Sequence, residues 1–161
     1  MKLSVIYHSE SGNTQKMAEA VVEGMNKVEG AEAKCFSIDE ADEDWIKESS
    51  CIVVGTPVYY AEMSGKVKLF LEKCGKYGLA GKLGGAFATA NFVHGGGEIA
   101  IQAIQTHMLV YGMMVYSGGG SFGQPVIHLG PVGVRGQFEE LAENFRIYGE
   151  RMAKKTKELG I

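Results

Sequence analysis

The chain has 161 residues and a formal net charge of −3, with 45% hydrophobic and 22% charged residues. This length and composition indicate a globular protein with a single domain, residues 1–161, large enough to bury a core without disulfides. The mild acidity and the interspersed lysines and arginines argue against nucleic-acid binding, and no apolar run is long enough to span a membrane.

The cysteines and histidines show no pattern of a disulfide framework or a metal site. Cys35, Cys51 and Cys74 are odd in number and lack CxxC spacing, which favours free thiols in a reducing compartment over a redox pair. The histidines and cysteines also lack metal-ligand spacing, so no metal is predicted. His8 interrupts the N-terminal apolar run, which is too short for a signal peptide. These features together predict a cytoplasmic location.

In the N-terminal half, the apolar patterns predict strands alternating with helices. Leu3–Tyr7 is a strand-length apolar run, and apolar residues at helical spacing predict a helix over Thr14–Val28. Ala31–Ser37 alternates loosely and predicts a second strand. The acidic segment Asp39–Ser50 predicts a short helix or a loop. The run Cys51–Gly55 predicts a third, fully buried strand.

The C-terminal half continues the same alternation. Ser64–Lys76 predicts an amphipathic helix, and the small apolar residues of Gly84–Ala90 predict a fourth strand. A helix over Glu98–Gly112, a fifth strand over Met113–Tyr116 and a final helix over Gln137–Leu159 follow. Five strands that alternate with helices predict an α/β domain with a parallel sheet and helices on both faces.

A polar turn follows the first strand and opens the first helix. Hydroxyl, amide and backbone N–H groups meet there at the positive end of a helix dipole, an arrangement that suits a phosphate. The turn matches neither a P-loop nor a dinucleotide-binding fingerprint. The alternative is a plain N-capped turn, because Ser, Thr and Asn are favoured at that position. The residues of the turn are Ser9, Glu10, Ser11, Gly12, Asn13 and Thr14.

A second loop, Thr56–Gly65, follows the third strand. Pro57 is expected to end that strand, and Ser64 is expected to cap the next helix. The adjacent Tyr59 and Tyr60 suit contact with a flat aromatic ligand. In the alternative interpretation, the two tyrosines only cover the core.

A third loop, Thr89–Glu98, follows the fourth strand. Its three consecutive glycines let backbone amides approach a ligand, and Phe92 offers an apolar wall. His94 is the one histidine within a predicted ligand loop, although a lone histidine in a loop is more often solvated than catalytic. Ligands of open α/β sheets bind beyond the carboxyl ends of the strands, so the three loops are expected to converge.

With these motifs, the sequence resembles the flavodoxin-like superfamily. Its closest resemblance is to the branch of NAD(P)H:quinone oxidoreductases and FMN reductases of the tryptophan-repressor-binding-protein type. The resemblance covers nearly the whole chain and rests on Tyr7–Thr14, Gly55–Gly65 and Gly95–Glu98. It implies a three-layer sandwich, a five-stranded parallel sheet in the order 2-1-3-4-5, and a noncovalent FMN at the carboxyl edge.

The resemblance also implies which residues contact FMN. It implies no catalytic side chain, because the flavin itself carries the electrons; His94, Tyr59 and Tyr60 are the nearest candidates for positioning a substrate. The implied contacts are Ser9, Glu10, Ser11, Gly12, Asn13 and Thr14 for the phosphate, Pro57, Val58, Tyr59 and Tyr60 for the ribityl chain and ring, and Thr89, Ala90, Asn91, Phe92 and Val93, with Gly96 behind them, for the other side of the ring.

The implied function is an FMN-dependent oxidoreductase that passes electrons from NAD(P)H to a quinone or another small acceptor. A flavodoxin-type carrier between redox-partner proteins is the alternative, and a non-redox FMN-binding regulatory protein is a third interpretation. The chain lacks the insertion that the quinone reductases carry between the second and third strands, and it has Tyr111 where they often have a flavin-proximal histidine. The glycine-rich segment Ser117–Gly136 is expected to be mobile or to lie in a homo-oligomer interface.

Overall fold

A computed structural model describes residues 1–161. Two 3₁₀ turns, Cys74–Tyr77 and Gly120–Phe122, supplement the regular elements. The strands are β1 (Lys2–Tyr7), β2 (Glu32–Ser37), β3 (Cys51–Tyr59), β4 (Glu62–Met63), β5 (Leu83–Ala90), β6 (Met114–Val115) and β7 (Val132–Val134). The helices are α1 (Asn13–Met25), α2 (Glu43–Glu48), α3 (Gly65–Leu71), α4 (Gly97–Val110) and α5 (Phe138–Leu159).

The sheet has five main positions, in the order β2-β1-β3-β5-β6. These neighbours are all parallel; Val5, for example, pairs with Cys35 on one side and Val53 on the other. Counted in chain order without the short β4, this is the predicted order 2-1-3-4-5, which is confirmed. Parallel pairing brings the carboxyl ends of β1, β3 and β5 to one edge of the sheet, where their loops meet.

Two strands were not predicted. The prediction that Pro57 ends the third strand was wrong: β3 continues to Tyr59, because its last residues pair antiparallel with β4. Pro57 is tolerated in the strand because it adopts an extended conformation and stands in register with Thr89 near the strand end. The second is β7, which lies in the glycine-rich segment Ser117–Gly136, where no strand was predicted, and pairs in parallel with β5.

The fifth position of the sheet, beside β5, is therefore occupied by two short strands, β6 and β7. β6 pairs with Leu83 and Gly84 at the start of β5, whereas β7 pairs with Ala88–Ala90 at its end. Residues 116–131 run between the two short strands. Arg151 of α5 holds this crossing segment, because its guanidinium donates hydrogen bonds of 3.0 to 3.5 Å to the carbonyl oxygens of Gly118, Gly119, Phe122, Gln124 and Pro125.

Helices cover both faces of the sheet and create two cores. One core joins α1 and α5 to the sheet through residues such as Met17 and Phe145, and the other joins α2, α3 and α4 through residues such as Ile46, Val67 and Ile104. The predicted helix over residues 64–76 is shorter than expected, since α3 ends at Leu71 and a 3₁₀ turn follows. The three layers are those expected of the fold class.

The three cysteines are free. Cys51 and Cys74 are buried, and burial raises the pKa of each thiol to about 12, which keeps both protonated and unreactive near neutral pH. Cys35 is partly buried, and burial also raises its pKa. None of the helices combines the length and the apolar content needed to cross a bilayer.

Candidate functional site

Two adjoining clefts lie at the carboxyl edge of the sheet, between the loops that follow β1, β3 and β5. We call the smaller one, of about 110 Å³, the inner cleft, and the larger one, of about 330 Å³, the aromatic cleft. They form a continuous depression because they share four lining residues. The inner cleft is lined by Glu10, Ser11, Asn13, Thr14, Pro57, Val58, Tyr59, Thr89, Ala90, Asn91 and Phe138. The aromatic cleft is lined by Val58, Tyr59, Tyr60, Ala61, Ala90, Asn91, Phe92 and Gly95.

Helix α1 begins without a side-chain cap. Gly12 stands at its N-cap in the left-handed region, with a φ of 86°, and no side chain accepts from the first turn. By contrast, Asp42 and Ser64 cap α2 and α3 with their side chains. The N–H groups of the first turn of α1 therefore have no side-chain acceptor, so the capping Ser, Thr or Asn side chain of the alternative interpretation is absent.

The side chains of the polar turn stabilise its shape. The Gly12 N–H donates to Ser9 Oγ at 3.1 Å, and Asn13 Nδ2 donates to Ser11 Oγ at 3.1 Å. No lysine or arginine lines either cleft. Neutral hydroxyl and backbone donors on a helix dipole fit the phosphate of FMN, and the left-handed Gly12, whose added Cβ would meet nothing within 4 Å, leaves a free approach.

A hydroxyl pair closes the floor of the inner cleft. Thr14 Oγ1 and Thr89 Oγ1 are 2.8 Å apart, and the two residues are only 1% and 5% exposed. The pair ties the N-terminal turn of α1 to the end of β5. Thr14 and Thr89 were both predicted as site residues, but their direct contact was not.

A tight hairpin forms one wall of the aromatic cleft. Tyr60 and Ala61 connect β3 to β4 with φ values of 51° and 62°, as the central residues of a type I′ turn require. Gly96 of the third loop packs directly on this turn, since a Cβ at Gly96 would lie 2.6 Å from Ala61 Cα. Tyr60 is fully exposed and Phe92 is 73% exposed, so this end of the cleft presents aromatic surface to solvent.

His8 and Ser64 connect the first two loops. His8 is 4% exposed, its Nδ1 is 2.9 Å from Ser64 Oγ, and Ser64 Oγ also accepts from the Val67 N–H. Ser64 is thus the predicted cap of α3. Burial, with Lys66 nearby, lowers the pKa of His8. His8 Nε2 has no hydrogen-bond partner and lies 3.8 Å from Glu10 Oε1.

The clefts bring together most of the predicted contacts, whose binding of FMN stays a prediction. They gather Glu10, Ser11, Asn13, Thr14, Pro57, Val58, Tyr59, Tyr60, Thr89, Ala90, Asn91 and Phe92. Four predicted residues do not line them: Ser9 and Gly12 bond to each other, Gly96 supports Ala61, and Val93 is exposed.

Sequence reasoning missed three lining residues and two connections, that of Thr14 with Thr89 and that of His8 with Ser64. Ala61, Gly95 and Phe138 line the clefts; the first two stood within loops already singled out, whereas Phe138 begins the distant helix α5. His8 stood next to the polar turn, but nothing in the sequence indicated its contact with Ser64. His94 is exposed and lines neither cleft. Tyr111 follows α4, where its hydroxyl donates to the carbonyl oxygen of Leu71 at 2.6 Å.

The known proteins that resemble this chain include flavodoxins and an NAD(P)H dehydrogenase (quinone). Residues 43–124 match the sequence model of the family described as NADPH-dependent FMN reductase. A flavodoxin of Clostridium saccharobutylicum is 42% identical over 159 residues, which cover 99% of each chain. An NAD(P)H dehydrogenase (quinone) of Geotalea daltonii is 31% identical over 143 residues, covering 71% of this chain and 70% of that protein. The structure of an archaeal flavodoxin superposes with a TM-score of 0.81 at 27% identity, covering 98% of this chain and 99% of that one.

Proposed function

Because the chain belongs to the flavodoxin-like superfamily of FMN-binding redox proteins, we propose that it is a flavodoxin-type carrier that moves electrons between redox-partner proteins. FMN is the cofactor of this family, and when bound it supplies the electron-transfer chemistry. The chain's own residues bind and orient it and set which molecules can reach it.

The observation that carries this proposal is the character of the aromatic cleft and its rim. The exposed aromatic surface of Tyr60 and Phe92 borders the cleft, and Val93 extends it. Glu10 is the single charged residue that lines either cleft. Neither cleft offers a cationic side chain that could pair with the pyrophosphate of a nicotinamide dinucleotide. Exposed aromatic residues beside a cofactor suit docking of a protein surface.

The likeness to the clostridial flavodoxin supports the same proposal. It runs over 99% of both chains. The quinone dehydrogenase from Geotalea daltonii is matched over 70% of its length, so part of that protein lies outside the alignment. The likeness favours the carrier through its higher identity, 42% against 31%.

Within the proposal, the polar turn holds the FMN phosphate and the aromatic cleft holds the ring. The first-turn N–H groups of α1, with Ser11 and Thr14, donate to the phosphate. Tyr59, Tyr60 and Phe92 would contact the ring, together with the backbone of Ala90 and Asn91. His8 orients the phosphate turn through Ser64.

An FMN-dependent NAD(P)H oxidoreductase acting on a quinone or another small acceptor is the second candidate. The match to the NADPH-dependent FMN reductase family over residues 43–124 favours it. So does the identity of 31% to the quinone dehydrogenase. This candidate requires that a nicotinamide reach the flavin without a cationic side chain in the clefts.

One experiment separates the two candidates. The FMN-loaded protein is mixed anaerobically with NADH or NADPH, and the flavin absorbance band is followed with and without an added flavoprotein reductase. If the protein is a carrier, its flavin absorbance band is expected to bleach only when the reductase is present. Rapid bleaching by a nucleotide alone would instead establish the oxidoreductase. Dithionite serves as the control that the bound flavin can be reduced.

A further inference from the structure

The hydroxyl pair at the floor of the inner cleft has two hydrogens but forms only one hydrogen bond. Thr14 and Thr89 lie 75 positions apart in the chain, and their Oγ1 atoms form one hydrogen bond of 2.8 Å. Neither hydroxyl makes another hydrogen bond within the protein. Each hydroxyl carries one hydrogen, so one hydrogen fills the shared bond and the other has no protein acceptor.

An unfilled O–H in a buried position is unfavourable. Leaving a buried donor without an acceptor costs about 1–3 kcal/mol, and both threonines are almost completely buried. Both line the inner cleft, so an acceptor bound there can take the spare hydrogen. The pair is therefore built for a ligand that accepts a hydrogen bond.

The position of Thr14 decides which hydroxyl faces that ligand. Thr14 lies in the uncapped first turn of α1, beside free backbone N–H groups, where an anion is favoured by the helix dipole. Phosphate oxygens only accept hydrogen bonds. Thr14 can donate to a phosphate only when its own hydrogen is not used by Thr89, which requires that Thr89 donate to Thr14 Oγ1.

We propose that Thr89 is a positioning residue for FMN: it donates its hydrogen to Thr14 Oγ1 and so directs the Thr14 hydroxyl hydrogen to the cofactor phosphate. Thr89 acts through Thr14 and does not touch the phosphate. The inference rests on FMN as the cofactor of the proposed function, and it holds for either candidate function.

The test compares the affinity of the cofactor-free protein for FMN and for riboflavin, which lacks the phosphate, by titration of flavin fluorescence. Thr89→Val keeps the shape of the side chain and removes the hydroxyl. It is expected to weaken FMN binding about 3- to 10-fold, since one hydrogen bond to a charged group is misdirected. Riboflavin binding is expected to change less than about twofold. Thr89→Ser, which keeps the hydroxyl, is expected to restore FMN affinity.

A double-mutant cycle identifies the route of the effect. Thr14→Val alone is expected to weaken FMN binding about tenfold, through the loss of one charge-assisted bond. Adding Thr89→Val to that variant is expected to have no further effect on FMN affinity, because the Thr14 hydroxyl, which Thr89 would direct to the phosphate, is already gone. Thr156→Val is the matched control: Thr156 is a buried threonine of α5 whose hydroxyl donates to the Met152 carbonyl, away from the clefts.

Three results would overturn the proposal: unchanged FMN affinity in Thr89→Val, equal losses for FMN and riboflavin, or additive effects of the two valine substitutions. Additivity would mean that Thr89 contacts the ligand on its own. If Thr89→Val does not fold, Thr89→Ala is judged by the same criteria. Failure of the unsubstituted protein to bind FMN would contradict the assignment of FMN as the cofactor, and not the role of Thr89 in directing the Thr14 hydroxyl.

Discussion

At the scale of single residues, Gly12 illustrates how backbone conformation can matter more than space. Its φ of 86° lies in the left-handed region, yet an added Cβ would meet no atom within 4 Å. Gly65, in the first turn of α3, also has open space around it but has an ordinary conformation. Because neither glycine is crowded, comparing the two isolates the free-energy cost of the left-handed conformation.

We expect Gly12→Ala to lower the free energy of unfolding by about 1–2 kcal/mol, the cost of a left-handed conformation with a side chain. Gly65→Ala, by contrast, is expected to raise it by up to about 1 kcal/mol, because alanine favours the helix. Urea denaturation of the two cofactor-free variants measures both values. Equal changes of the same sign would contradict the conformational explanation.

His8 makes stability depend on pH. Burial lowers its pKa in the folded protein below the ordinary value of 6.5, with Lys66 acting in the same direction and Glu10 and Asp39 opposing it. The unfolded chain therefore binds more protons at this site than the folded one. Its contribution is fully present above pH 6.5 and is lost as the pH falls through the unfolded value towards the folded one.

We therefore expect the free energy of unfolding to fall between pH 7.5 and pH 5.5, and we expect His8→Asn to reduce this slope. Asparagine keeps a polar atom near the position of Nδ1 for Ser64 but does not titrate. Chemical denaturation at several pH values gives the slope for each protein. An unchanged slope in the variant would show that another group is responsible.

The site residues were predictable from the sequence only where the chemistry is local. Ser11, Gly12 and Asn13 stand in one short motif whose spacing indicated a phosphate turn. The pairing of Thr14 with Thr89, like that of His8 with Ser64, joins distant parts of the chain. Such contacts follow from strand order and register, which residue types alone do not specify.

At the scale of secondary-structure elements, helices α1 and α5 approach each other unusually closely. A Cβ on Gly24 of α1 would lie 1.9 Å from the Arg146 carbonyl oxygen, and one on Gly149 of α5 would lie 2.0 Å from the Val21 carbonyl oxygen. Both obstacles are backbone atoms, which cannot turn aside as a flexible side chain can. The two helices also carry residues of the inner cleft, Thr14 and Phe138.

Gly149→Ala is expected to lower the free energy of unfolding by about 1–3 kcal/mol or more, as overpacking does when backbones must separate. Since α1 carries the phosphate turn, FMN binding should weaken as well. Ala103→Gly in α4 serves as a comparison without overpacking: it lowers helix propensity, at a cost of about 1 kcal/mol, and removes one partly buried methyl group. Thermal and urea unfolding check the first expectation, and flavin titration checks the second. A stable variant with unaltered affinity would contradict this account of the packing.

The longer elements were predicted well because their apolar periodicity is strong. α4 and α5 lie within one or two residues of their predicted bounds. β4 and β7, of two and three residues, are too short to show a period, and β7 is hidden among glycines and prolines. The first part of the fifth sheet position, β6, lies within the predicted strand over Met113–Tyr116. The second part, β7, was not predictable, because its pairing with β5 depends on tertiary structure.

At the scale of the whole molecule, cofactor binding and folding are linked. A ligand that binds only the folded state stabilises it by RT ln(1 + [L]/Kd), about 2.7 kcal/mol at a hundredfold excess over Kd. For a chain of this size, we expect FMN at that excess to raise the unfolding temperature by about 5–10 °C. Differential scanning calorimetry with and without FMN tests this expectation. No shift at any FMN concentration would contradict specific binding to the folded protein.

We expect the segment held by Arg151 to protect the protein from self-association. An open sheet edge presents unpaired N–H and C=O groups that can recruit a strand from another chain, and this is a common start of aggregation. Between the short strands β6 and β7, the middle of β5 would be such an edge. Gly130 packs there so closely that its Cβ would lie 2.1 Å from the Ala86 carbonyl oxygen. By holding the crossing segment in place, Arg151 keeps the middle of the buried, apolar strand β5 covered.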